Sequence, residues 1–239
     1  MLDVKELYKS FGSVEVVHGI SFTVEKGEVL GFLGPNGAGK TTTMRMITGF
    51  LPADSGTILV SGTNIEEDPV RVKEQIGYLP ENAPSYYPMT VTGFLSFSAE
   101  MRGYKGQEKK DRVEAAIQKC HLDKVRYQTI GTLSKGFKQR VCFAQAILHD
   151  PPLLIMDEPT DGLDPNQKHT VREMIRSMAA NKAIIISTHI LEEVDAVCTR
   201  AIIISNGTIV ANGTPASLKA QSPSGRLDDV FRKLTMSGE

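Results

Sequence analysis

An α/β fold with a helical segment set into it is what this sequence predicts, on three observations. Gly34-Pro35-Asn36-Gly37-Ala38-Gly39-Lys40-Thr41 fits G-x-x-x-x-G-K-[ST] and lies between a strand-like run, Glu28-Val-Leu-Gly-Phe-Leu33, and a helical run from Lys40 to Gly49. Leu153-Leu-Ile-Met156 is a continuous apolar run of the kind that forms a central parallel strand. Residues 91 to about 149 carry apolar positions at helical spacing and no convincing strand.

Composition bounds the rest. A chain of 239 residues with 41% hydrophobic and 23% charged positions has the make-up of a soluble globular protein, and it can bury a core without disulfides or metal. A formal net charge of −1 gives no broad basic field, so no nucleic-acid partner is expected. Cys120, Cys142 and Cys198 show neither CxxC pairing nor metal-ligand spacing, and they read as thiols in a reducing compartment. The charged start, Met1-Leu-Asp-Val-Lys-Glu6, leads us to expect no leader. No apolar run approaches the ~18 residues that cross a bilayer. A membrane role would therefore come through a partner.

In chain order, Leu2 to Tyr8 and Ile20 to Val24 alternate as strands, and Lys26-Gly27 turns into the strand that enters the glycine loop. Phe11 lies between the first strands, where an aromatic suits stacking on a purine as well as it suits ordinary packing. Pro52 to Gly56 reads as a turn, Thr57 to Val60 as a strand, Ser61-Gly62 as a second turn, and Ile76 to Leu79 as a strand ended by Pro80. Asn82 to Tyr87 reads as a loop. One helix begins at Phe94, Leu95 and Phe97; a second carries Val113, Ala116, Ile117 and Cys120; Gly103 and Gly106 separate them. After the Leu153 run come a helix from about Gln167 to Ala180, an apolar strand from Ala183 to Ser187, and a helix from Leu191 to Cys198. Asn206-Gly207 between two apolar runs predicts a hairpin. Past the break at Ser222 to Gly225, Leu227, Val230, Phe231 and Leu234 would line one face of a short helix.

The glycine loop dictates its chemistry. Gly34, Gly37 and Gly39 permit backbone angles at which successive N–H groups turn inward around phosphate oxygens, and the N-terminus of the following helix faces the same anion. Lys40 brings a fixed cation to the β- and γ-phosphates, and the Thr41 hydroxyl suits Mg²⁺. These residues predict a nucleoside triphosphate site. Asp157 and Glu158 close the buried Leu153 run, where open α/β sheets bind ligands. Asp157 suits a Mg²⁺ role and Glu158 that of general base toward the attacking water. His189 ends the second apolar strand; from spacing alone it is a γ-phosphate donor or a structural histidine. Ser134 stands at the start of a helix together with Gly136, which is an anion site or simply a helix N-terminus.

Gly34 to Thr41, Leu133-Ser-Lys-Gly-Phe-Lys-Gln-Arg140, Leu153-Leu-Ile-Met-Asp-Glu-Pro-Thr160, Gly162-Leu-Asp-Pro165 and His189 occur in the order seen in ATP-binding-cassette (ABC) transporter ATPases. The chain resembles that family over nearly its whole length. The resemblance implies a P-loop NTPase with a RecA-like core, an N-terminal antiparallel β subdomain and an inserted α-helical subdomain. The expected division is one ABC ATPase domain over 1–239, made of a core at 1–81 and 150–225, a helical subdomain at 82–149 and a C-terminal helix at 226–239. ATP and Mg²⁺ are the implied ligands, with Thr42 beside Thr41 in the nucleotide site and catalysis by Glu158 with His189. The resemblance also implies a head-to-tail dimer holding two ATP molecules, each between one subunit's P-loop and the other's signature helix. Phe11 then matches the adenine-stacking aromatic, Ser134 and Gly136 the contacts to the partner's γ-phosphate, and Asp164 the dimer-contact loop.

Two positions depart from the family pattern. Glu81 stands where Gln usually follows Tyr-Leu-Pro, and Phe137 where the signature usually ends in Gln. Both variants, with Ser187-Thr-His-Ile-Leu-Glu-Glu-Val194, resemble the type-2 exporter branch, which includes drug, gliding-motility and nitrous-oxide-reductase-maturation transporters. Glu81 becomes an expected metal ligand beside Thr41 and Asp157. The expectation is the ATPase subunit of an exporter: a homodimer on the cytoplasmic face of the membrane, with separate multi-span permease subunits and no extra C-terminal domain. A soluble ABC ATPase is the first alternative, but such proteins usually carry paired cassettes or long coiled coils. A P-loop kinase or GTPase is the second, and no N-K-x-D segment is present to read guanine.

Overall fold

The computed structural model describes residues 1–82 and 85–236. Part of the expected Asn82–Tyr87 loop (83 and 84) and the end of the expected C-terminal segment (237–239) lie outside the described residues. Two sheets form the frame. The first is antiparallel, in the order β2-β1-β4-β5, from β1 (Leu2–Phe11), β2 (Val14–Val24), β4 (Ser55–Val60) and β5 (Thr63–Asn64). The second holds β3 (Val29–Leu33), β6 (Ile76–Leu79), β7 (Leu153–Asp157), β8 (Ala183–Thr188), β9 (Arg200–Ser205) and β10 (Thr208–Gly213), in the order β10-β9-β3-β8-β7-β6. All neighbours in it run parallel except the β9–β10 hairpin.

The apolar runs become β3, β7 and β8, in which every residue is buried. Burial on both faces is the ordinary condition of a parallel strand, and it explains why these segments show no alternation. One face of the sheet packs with α1 (Lys40–Ile47) and the antiparallel sheet around Leu30, Phe32, Ile155 and Ile185. The other face, through Leu154, Met156, Ile184 and Ile186, packs against the helical segment and α6 (Pro165–Ala179). That segment comprises α3 (Val91–Met101), α4 (Gly106–Lys119), two short 3-10 turns and α5 (Lys135–Ile147), all between β6 and β7 in sequence. A smaller cluster joins Leu33 and Ile203 to α7 (Leu191–Val197), α8 (Pro215–Lys219) and α9 (Leu227–Thr235).

Several boundaries differ from the sequence reading. β1 and β2 are longer because their pairing slips register repeatedly between Val4 and Ser10, which breaks the period-two pattern. Phe11 therefore ends β1 instead of lying between strands. Gly106 opens α4 instead of separating two helices. Two short helices were not expected: α2 (Pro69–Glu74), capped by Asp68 accepting from the Arg71 N–H, and α8, capped by Thr214 accepting from the Ser217 N–H. No helix among the described residues is long and apolar enough to cross a membrane.

Candidate functional site

Three adjacent strands bring the candidate residues together. β3, β8 and β7 lie side by side and parallel, with Leu33 opposite Thr188 and Asp157 opposite Ser187. The glycine loop, His189 and Glu158 follow these ends directly, so one edge of the sheet carries all three, at the place where open parallel sheets receive ligands. An open cleft of about 560 Å³ there is lined by Asn36, Gly37, Gly39, Lys40, Thr41, Thr42, Glu81, Glu158 and His189, together with Val16 and Asp161.

The loop is held from below. At Gly34 a Cβ would stand 2.5 Å from the Ile204 carbonyl oxygen, so a larger residue would push the loop off β9. Gly39 caps α1 at φ 100°, a backbone angle open to glycine and strained for other residues. The tip of the β9–β10 hairpin braces the same loop: the Gly207 N–H donates to the Ala38 carbonyl at 3.1 Å, and the His18 N–H of β2 donates to the Gly207 carbonyl at 2.9 Å. Lys40 folds back inside the loop, donating to the carbonyls of Gly34 at 2.7 Å and Pro35 at 3.1 Å. Burial pushes its amine below the usual lysine range, while Glu158, Asp157 and Glu81 oppose that shift.

Glu158 follows β7 at φ 49°, in the left-handed region, with its N–H donating to the Ser187 carbonyl at 2.9 Å. That geometry turns its side chain out of the strand toward Lys40, whose Nζ is 4.0 Å from Oε1. His189 Nδ1 lies 2.9 Å from the same Oε1. With a carboxylate, which only accepts, Nδ1 pairs as its donor in the tautomer that carries the proton there. Asp157 sits deeper. It is buried beside the cleft but does not line it, and its Oδ1 accepts a short hydrogen bond from the Ser187 hydroxyl. Its Oδ2 and the Glu158 Oε2 are buried without a hydrogen-bond partner among the described residues.

Those oxygens are hard donors, as are the Thr41 hydroxyl and the Glu81 carboxylate that line the cleft. Among the described residues no group of three or more His, Cys, Asp and Glu is placed to hold a metal ion. Oxygen donors of this kind fit Mg²⁺, which binds through one or two carboxylates plus substrate phosphates and retained waters.

The structure leaves other candidates outside the cleft. Phe11 is half-exposed and does not line it; Val16 of β2 does. Ser134 caps α5 and Gly136 is buried against Gln167 of α6, again away from the cleft lining. Asp161 was missed by sequence reasoning. It lines the cleft and also pairs with Lys135, next to Ser134, at 3.6 Å. Its position between Thr160 and Gly162 was the available signal. Ser187, which fixes Asp157, carried no signal, because the contact is made only across the sheet.

A family model described as ABC transporter matches residues 17–161. The linearmycin resistance ATP-binding protein LnrL of Bacillus subtilis is 37% identical over 239 residues, 100% of this chain and 76% of its own length. A Nod factor export ATP-binding protein I of Burkholderia lata is 37% identical over 218 residues, 91% of this chain and 72% of its own. Among solved structures, an ATP-binding subunit of an ABC transporter superposes with a TM-score of 0.87 at 32% identity, covering 98% of this chain and 99% of its own.

Proposed function

Because this chain belongs to the ABC transporter family, as an ATP-binding subunit that hydrolyses ATP, we propose that it powers an exporter from the cytoplasmic face of the membrane. ATP-binding subunits of this family work with separate membrane permease components. Export is supported by the relative named for it and by Glu81 and Phe137, the two departures that match the exporter branch.

One observation carries the mechanism: Lys40, Glu158 and His189 converge on one cleft, whereas Ser134 and Gly136 do not reach it. A single chain thus supplies a phosphate cradle and a base, and a second copy placed head to tail supplies the signature helix. Lys40 leaves the Gly34 and Pro35 carbonyls for the phosphates. Glu158 accepts the proton of the attacking water as the new oxygen–phosphorus bond forms and the bond to the bridging oxygen breaks. His189 holds the carboxylate through Nδ1. Mg²⁺, held by Thr41, Asp157 and Glu81, would neutralise phosphate charge.

The permease surface in this reading is the apolar groove of about 310 Å³ between core and helical segment, lined by Phe50, Tyr78, Leu79, Pro80, Arg102 and Gln145. Glu81 follows Pro80 directly, so one short segment touches both the groove and the nucleotide cleft. Phe50 is 73% exposed at its mouth and rests on Tyr78. The test is purification of tagged chain from detergent-solubilised membranes, beside Phe50→Asp. A multi-span protein should come down with wild type and be lost with Phe50→Asp, while ATPase activity of the isolated chain survives. Recovery of soluble protein alone would favour the soluble ATPase.

A further inference from the structure

Glu193 is a carboxylate in an unexpected place. It lies in α7, one turn beyond His189, and is 2% exposed. Its Oε2 accepts a 2.7 Å hydrogen bond from the Thr188 hydroxyl, which is itself fully buried. The same hydroxyl accepts the Ile190 N–H at 3.0 Å, and the Ile190 carbonyl accepts the Glu193 N–H at 3.1 Å. The turn from Thr188 to Glu193 is therefore closed at three points. His189 lies between Thr188 and Ile190, inside the bond from the Ile190 N–H to the Thr188 hydroxyl, and its ring reaches Glu158 at 2.9 Å.

Burying a carboxylate is costly unless it is paired and hydrogen-bonded. Here burial pushes the Glu193 carboxyl above the usual range, and the Thr188 bond only partly opposes this. Its other oxygen, Oε1, is buried without a hydrogen-bond partner among the described residues, as are Nε and Nη2 of Arg172 from α6. Arg172 uses its remaining nitrogen on the exposed Glu192 at 3.2 Å. An apolar residue would fill this site without that cost, but it would leave the Thr188 hydroxyl free to rotate away from the turn.

We infer that Glu193 is a positioning residue: it fixes the Thr188 hydroxyl, which sets the backbone turn that delivers His189 to Glu158. Glu193 does not line the cleft and touches no reacting atom, so it acts only through His189. This rests on the reading of His189 and Glu158 as the hydrolytic pair.

The experiment uses the full chain with isotope-labelled histidine. The five histidine signals are observed by NMR, and that of residue 189 is assigned by its loss in His189→Gln. Glu193→Ala and Thr188→Val should move the His189 signal toward that of a free imidazole and lower kcat at least about tenfold, the scale expected of a misplaced group. KM for ATP should stay within about twofold, because the phosphate cradle is untouched. Glu193→Gln should restore both readouts, since its amide oxygen still accepts from Thr188. Adding Glu193→Ala to His189→Gln should cost no further turnover, because the two act through one group. The inference is overturned if the His189 signal is unmoved in Glu193→Ala, or if Gln and Ala behave alike. It is also overturned if the turnover losses merely follow the melting temperature. Normal turnover in His189→Gln would instead count against the hydrolytic role of His189, while the NMR arm still reports whether Glu193 positions it.

Discussion

Replacing Glu158 by Gln removes one negative charge from the cleft and little else. The amide keeps the length of the side chain, and an oxygen remains to accept the His189 Nδ1–H now held at 2.9 Å. Two effects of different size follow. A general base accounts for about 10²- to 10⁴-fold of turnover, so phosphate release should fall by at least the lower figure. Binding should move the other way. Lys40 Nζ is 4.0 Å from Oε1, with both side chains almost wholly buried. At that separation the gross attraction between unit charges is about 4 kcal/mol for an effective dielectric constant of 20. ATP must draw Lys40 away from this carboxylate and also approach its charge. Most of that gross term is offset by solvation, so a gain of roughly tenfold in affinity, about 1.4 kcal/mol, is the expected net result. The assays are steady-state phosphate release and titration with a fluorescent ATP analogue, with size exclusion to detect an ATP-bound dimer that no longer reopens. Turnover near that of wild type would refute the base assignment, and weaker ATP binding would refute the electrostatic argument.

Chains carrying Ser134→Arg mixed with chains carrying Lys40→Ala should regain some ATPase activity, because a head-to-tail pair concentrates both lesions in one composite site; absence of rescue in a titrated mixture would exclude shared sites. Glu81→Gln should retain ATP binding and reduce the Mg²⁺ dependence of turnover, since a carboxylate tolerates the γ-phosphate only when the cation screens it; superimposable Mg²⁺ titrations for wild type, Glu81→Gln and Glu81→Ala would dismiss a role for the residue. His149, whose Nε2 meets the Ile76 carbonyl at 3.1 Å, is pushed down to about 4 by burial and then by Arg102. Its unfolded value is about 6.5, so between these values the unfolded chain binds a proton that the folded chain refuses. Stability is thus full above about pH 6.5 and declines as pH falls toward 4, by about 2 kcal/mol at pH 5. Urea unfolding at pH 7 and pH 5 should show this loss in wild type and a smaller one in His149→Gln; equal losses would assign it elsewhere.

What the sequence made legible depended on how local each signal was. β3, β7 and β8 are short apolar runs ended by a glycine loop or a polar residue, and both their type and their burial could be read directly. α2 and α8 were invisible because a helix of 6 or 5 residues has too few turns to show a period; only the Asp68-Pro69 and Thr214-Pro215 starts announce them. β1 was cut short in the reading because its register shifts disturb alternation. At the site, the glycine loop declares itself through spacing, whereas the Ser187–Asp157 and Thr188–Glu193 bonds need the fold to bring their partners together. Phe11 carried two readings because stacking and packing both suit an aromatic at that position; its ring stands half-exposed at the end of β1.

The brace under the glycine loop has a consequence for synthesis. Residues 34–41 take their shape from Ile204 and Gly207, and β3 lies between β8 and β9, so its hydrogen-bond partners are made more than a hundred residues after it. A nascent chain emerging from the ribosome carries the whole phosphate motif long before it can close the loop. The antiparallel sheet, built from residues 2–64, can form early by local pairing, but ATP capture must wait for the β9–β10 hairpin. Stalled chains ending before residue 200 are therefore expected to pass through immobilised ATP, and those extending past residue 213 to be retained. Nucleotide binding is thus set to report that the chain has been made and folded through the β9–β10 hairpin, so a subunit cut short before it would not consume ATP.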